Sequence, residues 1–287
     1  MLWFIYALLC AFSLATADAF SKKTLEASGA YLIAWVRWAY AFPFLLLTLP
    51  FISIPQLDST FFGVTLILLP LEITTAVLYV KAIKDSPLSL TIPFLATTPV
   101  FTILTSFLIL EELPDRSGTS GIILIGMGAY LLNVHTGKAG ILAPIKAIKR
   151  ERGSVLMLIV AFIFSITSNL GKVAIQHSSP AFFALCYDAL LSVVIFPLVL
   201  LREKPGFSGF ILKGRAFLVI GFFYALMIIF HNLAITLVEV PYMISVKRTS
   251  LIFSVLYGAV LFKEAYIKER IIGSMVMVAG VILITLF

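Results

Sequence analysis

The chain has 287 residues, 61% of them hydrophobic and 12% charged, with a mean hydropathy of +1.10 and a formal net charge of +7. A soluble domain carries roughly a quarter charged residues, so a chain this apolar cannot hide its surface in one aqueous core and must use lipid as part of its solvent. Nucleic-acid binding is not what the positive charge implies, because the basic residues cluster in loops between apolar runs, where orientation in a membrane accounts for them. Cys10 and Cys186 both lie inside apolar runs and read as small buried residues, not as a disulfide.

Apolar runs of about 17–25 residues fit a bilayer as helices. They fall near 2–20, 28–50, 61–83, 87–110, 117–134, 154–176, 180–201, 216–237, 240–262 and 270–287, which predicts an all-α membrane protein with ten transmembrane helices. Barrel strands would alternate in polarity, and these runs do not. Within the first run, Ala15, Thr16 and Ala17 resemble a signal-peptidase site, but no positive segment precedes the apolar stretch, so a retained helix is expected. The longest loop, 135–153, carries Lys138, Lys146, Lys149, Arg150 and Arg152, and its 141–148 part has the pattern of a short surface helix.

Segments 87–133 and 241–285 are two versions of one pattern. Each opens on a proline (Pro87, Pro241), runs apolar to a glutamate (Glu112, Glu264), turns, and enters an apolar span with glycines seven apart (Gly121 and Gly128; Gly273 and Gly280). Weaker matches link Ala11, Phe12 and Lys22 to Ala161, Phe162 and Lys172, Phe42 and Pro43 to Phe196 and Pro197, and Ala82 and Ile83 to Ala234 and Ile235. The expected organisation is a five-helix repeat over 1–134, a basic linker over 135–153 and a second five-helix repeat over 154–287. Because five is odd, the second copy enters the membrane inverted, an architecture commonly used to carry solutes.

Sixteen of the lysines and arginines fall in the linker and the other loops after odd-numbered spans, whereas loops after even-numbered spans hold Arg116, with Lys172 at the end of the sixth span. Positive loops stay in the cytoplasm, so both termini are expected outside a cytoplasmic (inner) membrane.

The step at Pro99 and Val100, Glu111 and Glu112 after it, the Gly121 and Gly128 spacing, its repeat at Glu264, Gly273 and Gly280, and Arg37 in the second span together resemble the drug/metabolite transporter superfamily, specifically the EamA-like permeases. The resemblance covers nearly the whole chain. It implies a ten-helix inverted-repeat fold that moves small metabolites, often outward, and it implies no particular substrate.

Ionisable residues inside spans cost about 2.5–3.5 kcal/mol near the bilayer centre and are functional candidates by default. Glu72 follows Pro70 in the third span, where a carboxylate in low dielectric suits proton coupling. Lys247 and Arg248 lie two turns into the ninth span and point about 100° apart, so one reaches a central cavity and attracts an anionic group while the other pairs or snorkels. Arg37 and Asp188 sit in corresponding spans and are expected to pair across the halves. His231 titrates near neutral pH. Asn169 and Asp18 occupy matching places as cavity lining, and the glycine pairs mark close helix packing of the fifth and tenth spans. Glu112 and Glu264 read as caps or loop anchors.

No Walker motif, zinc spacing, nucleophile elbow or dinucleotide fingerprint is present, so no cofactor and no enzyme activity are expected. The expected function is secondary transport of a small polar or anionic metabolite by alternating access, with a proton as candidate coupling ion and lipid as surroundings. A monomer or homodimer is expected. Flipping of a lipid-linked or phosphorylated sugar, and a non-transporting membrane protein, are the alternatives.

Overall fold

Helices account for every regular element among the described residues of the computed structural model, which are 1–25, 28–52, 54–85, 92–132, 152–203, 207–261 and 267–286. In chain order they are α1 (Leu2–Leu25), α2 (Ala30–Ala39), α3 (Phe42–Leu45), a 3-10 turn (Leu46–Phe51), α4 (Ser59–Asp85), a second 3-10 turn (Ile92–Thr97), α5 (Thr98–Leu110), α6 (Arg116–Leu132), α7 (Arg152–Gln176), α8 (Pro180–Arg202), α9 (Phe207–Ile235), α10 (Val240–Lys247), α11 (Ser250–Leu261) and α12 (Ile267–Leu286). Among the described residues six stretches are long and apolar enough to cross a membrane, Leu2–Leu25, Ala30–Pro50, Ser59–Ala82, Arg152–Gln176, Pro180–Arg202 and Gly214–Ile235, and Phe94–Leu110 and Ile272–Ile284 are shorter apolar helices. Outward-facing Leu66, Leu201 and Val260 are 72%, 73% and 76% exposed, a surface that is stable only against hydrocarbon. The expected linker helix and Glu264 lie outside the described residues.

The runs near 87–110 and 240–262 do not form the continuous helices that their composition predicts. Pro99 sits in the first turn of α5, where its missing N–H is harmless but the helix cannot extend backwards unbroken, and 3-10 geometry takes over. The later break needs no proline. The Thr249 N–H bonds back to Val246 (3.0 Å), that of Leu251 to Arg248 (3.0 Å) and that of Ile252 to Thr249 (2.9 Å), three-residue spacings that tighten the turn between α10 and α11. In both breaks a threonine hydroxyl bonds the carbonyl three residues earlier: Thr97 to Phe94 at 2.6 Å, and Thr249 to Val246 at 2.7 Å.

Helix starts are capped by carboxylates, two of them from distant parts of the chain. Asp58 accepts from the Phe61 N–H (2.9 Å) at the start of α4, and Asp115 from the Gly118 N–H (2.6 Å) at the start of α6. Gly29 has no side chain to cap α2, and Glu203 beyond α8 does so instead, accepting from Tyr31 N–H (2.7 Å) and Leu32 N–H (3.1 Å). Glu112 likewise accepts from the Val240 N–H (3.0 Å) at the start of α10.

The principal helix pairs are α6 with α12, α1 with α9, and α4 with α7; α2 packs on α8, α5 on α7, and α1 on α11. Glycines set the first pair. A methyl group on Gly121 would lie 2.8 Å from the Gly280 carbonyl oxygen, one on Gly128 2.5 Å from the Met277 nitrogen and 2.7 Å from the Gly273 oxygen, and one on Gly280 2.7 Å from the Gly121 oxygen. Only glycine lets these backbones approach so closely. Gly171 in α7 has open space around it. Gly128→Ala is therefore expected to destabilise the purified protein by about 1–3 kcal/mol through overpacking. Gly171→Ala should be neutral or stabilising by up to ~1 kcal/mol. Thermal unfolding in detergent compares the two, and equal shifts would contradict the packing account.

Candidate functional site

The breaks between the 3-10 turn and α5, and between α10 and α11, meet inside the molecule. There Arg248, 7% exposed, donates from Nη2 to Thr98 Oγ1 at 2.9 Å, and its guanidinium lies 5.8 Å from the Phe164 ring centre. Its Nε has no hydrogen-bond partner among the described residues. A cation is thus held at the junction of two interrupted helices by one neutral hydroxyl, with donor capacity left over.

Lys247, the preceding residue, points elsewhere, as adjacent helical positions must. Its Nζ approaches His231 Nδ1 on α9 at 3.3 Å, and its charge interacts with those of Glu72, Asp18 and Arg248 and with the Cys10 thiol. Glu72 sits just after Pro70, which α4 carries within its length, and the Thr167 side chain of α7 and the charge of Lys247 both act on its carboxylate. Glu72, His231 and Lys247 are each part-buried. The contact of Lys247 with His231 and its interaction with the Glu72 charge bring these three candidates near one another from α4, α9 and α10, and Arg248 follows Lys247 in the chain.

Arg37 of α2 pairs with Asp18 of α1 at 2.5 Å and lies over Tyr79 (5.8 Å) and Tyr224 (5.7 Å). The expected pairing of Arg37 with Asp188 is not formed. Asp18 projects from the helix next in sequence and reaches the guanidinium first, leaving Asp188 of α8 2% exposed with both carboxylate oxygens unpartnered among the described residues. Asn169 does not join Asp18. Fully buried, it donates to Thr105 Oγ1 (3.0 Å) and the Ser165 carbonyl (2.7 Å), tying α7 to α5. Gly121, Gly128, Gly273 and Gly280 all lie in the α6–α12 contact, away from these ionisable groups.

Sequence reasoning missed one polar knot. Lys172 Nζ donates to Glu112 Oε1 (2.5 Å) and to the Val238 carbonyl (2.8 Å), while Glu112 also accepts from Ser106 Oγ (3.2 Å) and caps α10. Glu112, read from the sequence as a cap or loop anchor, does cap a helix, the distant α10, whose first N–H groups would otherwise lack partners. Lys172, the one lysine near an otherwise acidic set of loops, was the available signal. Thr98 and Thr167 were also missed, since isolated threonines in apolar runs carry no pattern.

The same ends of the helices carry two further ties. Asp58 contacts His177 Nδ1 at 2.7 Å, and Asp115 accepts from the Tyr242 hydroxyl at 3.1 Å. The Phe61 N–H, helped by His177, holds the Asp58 carboxyl below the usual carboxylate range; the Gly118 N–H, then the Ser117 and Tyr242 hydroxyls, do the same for Asp115.

The model of the EamA-like transporter family matches residues 1–134 and 151–286. A solved structure titled only "Crystal structure of protein" superposes with a TM-score of 0.71, covering 99% of this chain and 96% of that one at 17% identity, a likeness of fold. No curated protein matches the sequence.

Because Asp58 and Asp115 are depressed in the folded state, their ties contribute stability above the unfolded carboxylate value and lose it as pH falls through the folded one. The thermal midpoint of Asp115→Asn should therefore lie below that of the wild type at neutral pH and meet it in acid. A difference that does not change with pH would refute the assignment. Glu112→Ala, which strips the cap and the Lys172 partner together, is expected to cost about 2–4 kcal/mol of stability, against a change within about 0.5 kcal/mol at exposed Asp115's neighbour Arg116 when it is replaced by alanine, both read by thermal unfolding.

Proposed function

Because the chain belongs to the EamA-like transporter family and is thereby a multi-pass membrane transporter of the drug/metabolite type, we propose that it is a secondary active transporter of a small anionic metabolite working by alternating access. Ten crossings form two inverted repeats, 1–134 and 154–287, joined by the basic linker, in a cytoplasmic membrane with both termini outside. The halves rock about a midplane site, and the substrate lodges between the two interrupted helices.

What supports the inverted repeat is the pairing of helices. Exchanging the halves turns α1 with α9 into α7 with α4, and α1 with α11 into α7 with α5, while α6 with α12 and α2 with α8 map onto themselves. The matched threonine bonds fit as well, Thr249 lying 152 residues after Thr97 (249 − 97) in the equivalent break. Five helices per half then require opposite insertion.

The observation that carries the substrate class is Arg248, a buried guanidinium with one hydroxyl partner and spare donors, next to Lys247 on the partly accessible side. The carboxylates that act on these two cations are Glu72 and Asp18, and Asp18 is already paired with Arg37, which leaves room for a carboxylate or phosphate group. The helix start at Ser250 beside them adds a positive dipole end. Glu72 and His231 flank this position and are the coupling candidates.

The test is thermal stabilisation of the purified protein by amino acids, organic anions and sugar phosphates. A ligand at 100 times its Kd stabilises by about 2.7 kcal/mol. Anions are expected to raise the midpoint where neutral analogues do not, and Lys247→Gln and Arg248→Gln should each weaken that binding at least tenfold. Stabilisation by neutral compounds alone, or undiminished by either substitution, would overturn the anionic assignment.

A further inference from the structure

Three carboxylates of the first family-matched segment, Asp58, Glu112 and Asp115, reach across to the second. Asp58 Oδ2 meets His177 Nδ1 at 2.7 Å, tying the start of α4 to the end of α7. Glu112 ties the end of α5 to Lys172 of α7 and to the Val240 N–H of α10. Asp115 accepts from the Tyr242 hydroxyl at 3.1 Å, tying the start of α6 to α10. In all three ties the acid comes from the first segment and its partner from the second.

The same acids also hold bonds within their own segment. Asp58 Oδ1 caps α4 through the Phe61 N–H, and Asp115 caps α6 through the Gly118 N–H and accepts from Ser117 Oγ at 3.0 Å. Glu112 Oε2 accepts from Ser106 Oγ, and Lys172 keeps the Val238 carbonyl of its own segment. Parting the segments at this end therefore breaks only the crossing bonds. It strands no charge, because each of these groups retains a partner and water reaches the rest. Asp58 is 50% exposed and His177 38%, so their pair is individually weak and readily reversed. The Arg37–Asp18 pair is of another kind: both members belong to the first segment, and separation of the segments leaves it intact.

Beneath the ties lies an apolar layer drawn from both segments. The Phe61 ring meets that of Phe182 at 6.1 Å and that of Phe183 at 6.5 Å, in a cluster with Leu110, Val240 and Met243. Gly118 leaves space for Tyr242, whose hydroxyl a methyl group there would strike. This end of the molecule is shut by side chains that interleave across the two segments, with a belt of polar bonds over them.

We propose that Asp58, Glu112 and Asp115, with His177, Lys172 and Tyr242, form a latch that closes the transport path at this end, and that the conformation described here is the latched one. Release of the three ties lets Phe61 part from Phe182 and Phe183 and opens the outer mouth in the proposed orientation. The latch rests on the alternating-access reading and names contacts that such a cycle must break.

Double electron–electron resonance between paired spin labels measures the opening, in full-length protein lacking Cys10 and Cys186 and held in lipid nanodiscs. One label pair, Thr60→Cys with Thr236→Cys, spans the latch; the other, Lys23→Cys with Arg202→Cys, joins the last turns of α1 and α8 at the far end, and all four positions are exposed. Asp58→Asn, Glu112→Gln and Asp115→Asn combined keep an oxygen for each helix cap and remove the charge that crosses. This variant is expected to raise the long-distance population across the latch about tenfold or more. If the halves rock, the far pair shortens in step. Lengthening across the latch with an unchanged far pair would sustain the latch and sink the rocking motion. Unchanged distances across the latch would overturn it, and a lowered thermal midpoint alongside them would make the ties stabilising contacts alone. Should the triple variant fail to fold, Glu112→Gln alone carries the same test with a smaller expected shift.

Discussion

An ionised side chain inside hydrocarbon costs several kcal/mol unless an opposite charge or a full set of hydrogen bonds accompanies it. Asp18, Arg37, Glu72, Asp188 and Lys247 lie within the helices and Arg248 in the break between α10 and α11, three acids and three bases. Their mutual accommodation organises the interior. Arg37 takes Asp18, Lys247 interacts with Glu72 and His231, and Arg248 leans on Thr98. These accommodations are incomplete at Arg248, whose Nε is unpartnered among the described residues, and at Asp188, both of whose carboxylate oxygens are.

Such a cluster is expensive to hold in place, and the backbone supplies the rigidity. Glycines let α6 and α12 lie backbone to backbone, and carboxylates from distant loops cap α2 and α10, so helix ends are fixed by parts of the chain far away in sequence. The two helices left interrupted are those that carry Thr98 and Arg248. Three-residue hydrogen bonds have poorer geometry than those of continuous α-helix, and here they interrupt the backbone beside Thr98 and Arg248.

Much of the helical architecture was legible because hydrocarbon enforces long apolar runs, and the repeated glutamate-and-glycine pattern marked the family. Glycine announced its consequence, the close helix faces that follow from a missing Cβ, whereas the run near 87–110 read as one continuous span and the break just before Pro99 showed only in the structure. The break at Thr249 was not legible, since no residue type there forbids helix and only the local bonding reveals it. Among charges, sequence could nominate Glu72, Lys247 and Arg248 because each is rare in its surroundings. It could not choose the partner of Arg37, where the rival acids Asp18 and Asp188 differ only in geometry. Long-range caps such as Glu112 on α10 were invisible for the same reason.

The central claim is that these buried polar groups border an aqueous path reached from each side of the membrane in turn. The direct measurement is labelling of a single cysteine, Glu72→Cys in a background lacking Cys10 and Cys186, with a membrane-impermeant anionic thiol reagent applied separately to either face of sealed vesicles. Alternating access predicts reaction from both faces, each slowed by conditions that hold the opposite face open. A residue that reacts from neither face, in protein that remains folded, would contradict the account.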